Sequence, residues 1–250
     1  MTFTLLTQQE LAPNVYRITL SGDTRNIMRS GQFVQIALPG FYLRRPISVC
    51  DCEWDEDGKL TLIYKVVGDG TVALSRLAPG ATLDLLTGLG NGYDISPIKR
   101  CWSPLLVGGG VGIPPLYGLC KSILAAGREA AVVLGFNTKK EVFLKDDFEA
   151  LGVRVCVCTA DGSMGMQGVV TDVMQSSFHP YDYVYACGPE PMLKAVHALC
   201  ETIDTPGQFS FEERMACGFG VCMGCSCETR YGSKRICKDG PVLFREEIIW

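Results

Sequence analysis

The feature that most constrains this chain is a knot of cysteines near its carboxyl end. Five of thirteen cysteines fall between Cys217 and Cys237, whereas the other eight are scattered from Cys50 to Cys200. The cluster reads Cys217-Gly-Phe-Gly-Val-Cys222-Met-Gly-Cys225-Ser-Cys227, with Cys237 further on. The spacing C-x4-C-x2-C followed by a distant cysteine is the plant-type ligand spacing of a [2Fe–2S] cluster. Glycines 218, 220 and 224 let the backbone wrap tightly and turn amide N–H groups toward sulfur. A structural zinc site also takes four thiolates, but it usually pairs two short C-x2-C knuckles, and only one is present. Free redox-sensing thiols are a third reading. The expected ligands are Cys217, Cys222, Cys225 and Cys237, with Cys227 as a spare thiol.

An odd, high cysteine count argues against a complete disulfide framework and for metal or redox chemistry in a reducing compartment. The first twenty residues lack the basic start and small-residue cleavage site of a signal peptide. The most apolar run, residues 105–119, is broken by glycines and prolines, so a membrane span is not expected. The expected location is the cytoplasm. The net charge of −4, without a long basic run, does not favour nucleic acid or an anionic membrane as partner.

Three segments follow, with no internal repeat. Residues 1–98 hold short β-rich runs (14–20, 32–38, 47–50, 60–67 and 82–86) separated by turns such as Asp57-Gly58 and Pro79-Gly80. This spacing predicts an antiparallel β-barrel or sandwich. Residues 99–208 alternate strand and helix, with strands at 104–107, 130–136, 153–159 and 183–187. That alternation predicts a parallel α/β sheet. Residues 209–250 form a small cysteine-rich tail with too few apolar side chains for its own core, so a cluster is expected to hold it.

Two stretches point to nucleotide cofactors. In Leu43-Arg44-Arg45-Pro46-Ile47-Ser48, Arg45 offers a bidentate fork to a pyrophosphate, Pro46 stiffens the turn, and Ser48 offers a hydrogen bond. Ile63-Tyr64-Lys65 and the Gly70-Thr71 pair supply an aromatic face and further donors. Gly108-Gly109-Gly110-Val111-Gly112 follows a strand and opens a helix, where a dinucleotide phosphate can approach the backbone. It departs from the G-x-G-x-x-G fingerprint of ordinary Rossmann dehydrogenases. Cys187-Gly188-Pro189-Glu190-Pro191-Met192 sits likewise between a strand and a helix. Lys139 and Lys140 could meet a 2′-phosphate, but a solvated pair is the plainer reading. His179, His197, Glu212 and Glu213 are read as structural or solvated.

In their order along the chain, LRRPIS, IYK, GDGT, GLGNGY, LLVGGGVGIPPL, ADGS, CGPEPML, FEERMACGFGVCMGC and CKDGPV resemble the ferredoxin reductase family. Within it they resemble the electron-transfer subunits of NAD-dependent dihydroorotate dehydrogenase. The resemblance implies FAD on a barrel of residues 1–98, contacted by Arg45, Pro46, Ile47, Ser48, Ile63, Tyr64, Lys65, Gly70 and Thr71. It implies NAD on an α/β domain of residues 99–208, near Gly109, Gly110, Gly112, Cys187 and Gly188. It implies a [2Fe–2S] domain at 209–250. The partner it implies is an FMN-containing catalytic subunit, in a heterotetramer of two of each, serving de novo pyrimidine biosynthesis. The flavin subunit of a ferredoxin:NADP or sulfide-type reductase is the alternative within the family.

Overall fold

A computed structural model describes residues 1–97, 104–178 and 180–250. His179 and the expected 98/99 boundary lie outside the described residues. Six strands close an antiparallel barrel: β1 Thr2–Ala12, β2 Val15–Gly22, β3 Phe33–Ala37, β4 Arg45–Cys52, β5 Gly58–Lys65 and β6 Thr82–Leu89, in the order β1-β2-β5-β4-β3-β6. Alternation drives the closure. Phe3, Leu5, Ile18, Leu20, Leu60 and Leu62 are fully buried inside, while their neighbours in sequence face outward. A short helix, α1 Asp69–Ser75, plugs one mouth with Leu74.

The second layer is a seven-stranded sheet. Its strands are β7 Pro104–Gly109, β8 Ala131–Phe136, β9 Arg154–Thr159, β10 Met166–Gln167, β11 Tyr183–Cys187, β12 Gly207–Ser210 and, after the hairpin of β13 Ser226–Thr229 and β14 Gly232–Arg235, β15 Val242–Phe244. The order is β10-β9-β8-β7-β11-β12-β15, parallel throughout except for antiparallel β15. Every residue of β7 is buried, as expected for a strand covered on both faces. Leu106 packs toward α2 Pro114–Ala125 and α3 Lys145–Ala150; Leu105 and Val107 pack toward α4 Val170–Ser177 and α5 Glu190–Thr202. Among the described residues, no helix is long and apolar enough to cross a membrane.

The tail does not stand apart. It leaves the sheet at β12 and returns at β15, and Cys225, Ile236, Cys237, Leu243 and Ile248 join the core under α4 and α5. The connector after β6 ties the parts together. The Asn91 side-chain N–H donates to the carbonyls of Val242 (2.7 Å) and Asp239 (3.2 Å), and its carbonyl accepts from Val242 N–H (3.1 Å). The Tyr93 hydroxyl donates to the Ala186 carbonyl at 3.2 Å. Gln208 clasps Asp94, accepting from its N–H at 2.8 Å and donating to its carbonyl at 2.7 Å.

Replacing Asn91 by Leu removes three hydrogen bonds and strands their partners, at a cost of about 2 kcal/mol. A urea titration of the purified variant should show a lower midpoint at unchanged slope; an unchanged midpoint would refute the stapling role of Asn91.

Candidate functional site

The cysteine loop spans residues 217–225, between β12 and the β13–β14 hairpin. The N–H groups of Val221 and Cys222 point at the Cys217 sulfur at 3.3 and 3.5 Å, and the N–H of Cys237 points at the Cys225 sulfur at 3.4 Å. Arg235 holds the loop from below, donating to the Gly220 carbonyl at 2.9 Å while paired with Asp239. Among the described residues, no three ligating side chains converge on one point. The strongest thiol–thiol interactions are Cys217 with Cys222 and Cys225 with Cys237, and Cys237 also feels Cys217. A [2Fe–2S] cluster takes four thiolates over two irons, so this donor set fits it.

The two pairs differ in electrostatics. Burial works against the Cys217 thiolate, but N–H groups of Cys222, Phe219 and Val221 more than offset it and lower its pKa to about 6. Burial raises the Cys237 thiol to about 12, helped by the adjacent Cys225. Cys227 lies half-buried on β13, opposite Lys234, and burial raises its pKa also.

The flavin motif starts at the barrel mouth. Arg45 lies over the Phe41 ring at 4.8 Å and against Gly70, where an added Cβ would stand 2.1 Å from its Nε. A glycine is therefore required for the guanidinium to rest there, and the cradle fits an anionic phosphate. Along β4, Ile47 and Val49 point into the barrel, and Pro46 and Ser48 take the outer face. On β5, Ile63 faces the sheet domain and Lys65 is exposed. Tyr64 is 4% exposed, stacked on Tyr16 at 5.9 Å and packed with Leu60 and Leu62. The Thr71 hydroxyl donates to the Gly68 carbonyl and accepts from the N–H of Val67 and Gly68 at the start of α1.

The glycine run and the Cys-Gly-Pro segment meet at the carboxyl ends of adjacent parallel strands, β7 and β11. From β7 the chain moves outward through β8 and β9, then returns to add β11 and β12 on the other side. The crevice between β7 and β11 is thus a topological switch point, the usual ligand position in an open α/β sheet. A Cβ on Gly112 would lie 2.5 Å from the backbone of Cys187 and Gly188, which explains why the run ends in glycine. Gly109 and Gly188 both pack against Met192. An added Cβ on Gly110 would meet nothing within 4 Å, so the backbone there is open to a ligand, and this switch point fits a nicotinamide nucleotide. Burial raises the Cys187 thiol to about 12, so it is neutral. The loops after β8 and β9 are joined by the Lys139 N–H to the Ser163 hydroxyl at 2.7 Å, and Lys139 and Lys140 are exposed. His197 is buried against Phe209 and Trp250, 3.1 Å from the Arg245 carbonyl, and Glu212 and Glu213 are exposed.

Sequence reasoning missed Phe41, Asn91 and Gln35. Asn91 stood in GLGNGY without a role. The Gln35 carboxamide is 0% exposed, touches Gly218 of the cysteine loop, and has no hydrogen-bond partner for either terminal atom.

Residues 212–249 match the family described as the iron-sulfur cluster binding domain of dihydroorotate dehydrogenase B, and residues 106–198 match the oxidoreductase NAD-binding domain. The chain is 42% identical to a dihydroorotate dehydrogenase B (NAD(+)) electron transfer subunit of Bacillus caldolyticus, over 98% of this chain and 97% of that one. It is 41% identical to the same subunit of Caldanaerobacter subterraneus, over 98% and 97%. Among solved structures, a chain of an NADH-dependent reduced ferredoxin-NADP oxidoreductase superposes with TM-score 0.89 at 33% identity, over 99% of this chain and 89% of that one. A ferredoxin NADP+ reductase of Neisseria gonorrhoeae with bound FAD and NADP superposes at 0.71 and 15% identity, over 86% and 93%, which shows a shared fold.

In iron-free chain the thiolate is the reactive form, so alkylation of Cys217 should accelerate as pH rises through about 6, while Cys237 stays inert at neutral pH. Iodoacetamide labelling followed by peptide mass spectrometry reads both; faster labelling of Cys237 would contradict the electrostatic account.

Proposed function

This chain belongs to the family of dihydroorotate dehydrogenase B (NAD(+)) electron transfer subunits, and on that premise we propose that it carries electrons from a catalytic partner subunit to NAD+ in pyrimidine biosynthesis. The partner oxidises dihydroorotate to orotate on its own FMN, and two copies of each subunit form the working assembly. The observation that carries the reading is the placement of three motif sets in one molecule. The cysteine loop rests on the outer face of the barrel through Gln35 and Gly218, and the nicotinamide crevice opens between β7 and β11.

In this reading residues 1–98 hold FAD, 99–208 hold NAD, and 209–250 hold the cluster. When bound, the flavin supplies the exchange between single electrons and a hydride that a cluster cannot perform. The protein's own part is binding and electrostatics. Arg45, fixed by Phe41 and Gly70, neutralises the pyrophosphate. Pro46 and Ser48 line the outer face, and Ile63 backs it from the sheet side. Gly109 and Gly112 let the ends of β7 and β11 approach closely, and Gly110 borders open space for a second dinucleotide, with Gly188 and Cys187 on the adjoining wall. Cys187 places a small neutral thiol there; protonated at working pH, it is no nucleophile toward an electrophilic nicotinamide. Cys217, Cys222, Cys225 and Cys237 hold the two irons. Every described cysteine is free of disulfides, which suits a cytoplasmic location.

The likeness to the NADH-dependent ferredoxin-NADP oxidoreductase chain favours a second reading, in which ferredoxin replaces the catalytic partner. The higher identity to the dehydrogenase subunits supports the first. Reconstituted with a dihydroorotate dehydrogenase subunit, the chain should support dihydroorotate-dependent NAD+ reduction. Cys222→Ser should abolish that reaction yet preserve NADH oxidation by ferricyanide, while Cys227→Ser should preserve both. Turnover with ferredoxin but none with dihydroorotate would overturn the reading, and an inactive Cys227→Ser would reassign the fourth ligand.

A further inference from the structure

Gln35 lies on β3, directly opposite Pro46 of the flavin motif. Strand parity sends Val34 and Ile36 into the barrel and turns Gln35 to the face that carries the cysteine loop. Phe33, two residues earlier, packs in the core that includes Cys225 and Cys237. The Gln35 side chain is fully buried, and both Nε2 and Oε1 lack a hydrogen-bond partner. A buried polar group left unsatisfied costs about 1–3 kcal/mol, and folded proteins rarely keep one without use. The carboxamide rests on Gly218, the residue after Cys217. A Cβ there would lie 2.5 Å from Nε2 and 2.9 Å from Oε1, so the whole carboxamide packs directly on the loop backbone. Gly218 has φ +79°, which keeps the loop on a path that only glycine follows easily. The other donors in this loop, the N–H groups of Val221 and Cys222, already aim at the Cys217 sulfur.

We propose that the Gln35 carboxamide is a positioning and tuning residue for the cluster: its N–H donates a hydrogen bond to a sulfur on the Cys217 side, from the flavin barrel rather than from the cysteine loop. The bond stabilises the more negative, reduced cluster, because a donor to sulfur favours added electron density. It also ties the barrel to the loop beside the hydrogen bonds of Asn91. This inference rests on the reading that Cys217, Cys222, Cys225 and Cys237 hold a [2Fe–2S] cluster.

The test is an EPR-monitored redox titration of the complex with its catalytic partner, with the flavin followed optically in the same sample. Gln35→Leu keeps the volume and removes the donor; Gln35→Glu replaces it with an acceptor. The cluster midpoint potential should fall in Gln35→Leu and fall further in Gln35→Glu, while iron content and flavin midpoint potential match wild type. If Gln35→Leu does not fold, Gln35→Asn, one carbon short of the loop, should lower the cluster potential in the same direction. An unchanged cluster potential in variants that retain iron would overturn the proposal, as would a shift confined to the flavin. Absence of iron from the wild-type chain would instead bring down the cluster reading itself.

Discussion

The architecture depends on the five residues that leave the barrel after β6. Gly90 to Asp94 bind the tail through Asn91, the sheet through Tyr93 and β12 through Gln208 and Asp94. Tyr93 is 3% exposed and meets Tyr185 edge-on at 5.6 Å. A barrel and a sheet joined by one covalent connection would be free to rock. Here residues 90–94 of that connection are buried or half-buried and hydrogen-bonded to both. The cysteine tail is caught in the same knot, so the three motif sets cannot drift apart without breaking it.

A second clamp adjoins the first through Ser30, whose carbonyl accepts from the Tyr93 N–H at 2.8 Å. Helix α2 runs across β4, with Gly118 against the Cys50 carbonyl, the Ser30 and Ser122 hydroxyls 3.0 Å apart, and Lys121 paired with Asp51 at 2.6 Å. The strand that carries Arg45 and Ser48 is therefore held by the helix that begins just after Gly112. Hydride transfer between a flavin and a nicotinamide needs their rings fixed against one another, and this contact couples the two binding elements mechanically. Arg17 and Asp147, at 2.8 Å, add a further tie between barrel and sheet domain.

Much of this was legible in the residues, and the exceptions have physical causes. The cysteine spacing, the glycine run and the strand–helix alternation are local signals, and they identify the elements that form β7, α2, β11 and the cluster loop. Strand β1 escaped notice because its outer half, Thr7 to Glu10, is polar and its apolar residues alternate only at Phe3 and Leu5. Helix α1 is too short to show a period, and GDGT read more readily as a phosphate loop. The motif Ile63-Tyr64-Lys65 does not reveal which residue faces where; strand parity on β5 packs Ile63 against the sheet domain and Tyr64 with the barrel core. Asn91 and Gln35 are invisible to any local rule. Their partners lie 148 and 151 residues away for Asn91, and Gln35 meets a loop contributed by the other end of the chain. That the tail also lends β15 and buried side chains to the sheet domain could not be read locally, because its partners lie in β12, α4 and α5.

The central claim is that flavin barrel, nicotinamide crevice and cysteine loop form one electrical unit within this single chain. Anaerobic stopped-flow mixing of the partner-free chain, loaded with FAD and cluster, with NADH tests it most directly. The account predicts that the flavin and iron–sulfur absorption bands both bleach, the second following the first without any added mediator. A flavin that bleaches while the cluster stays oxidised until a partner or mediator is supplied would contradict it.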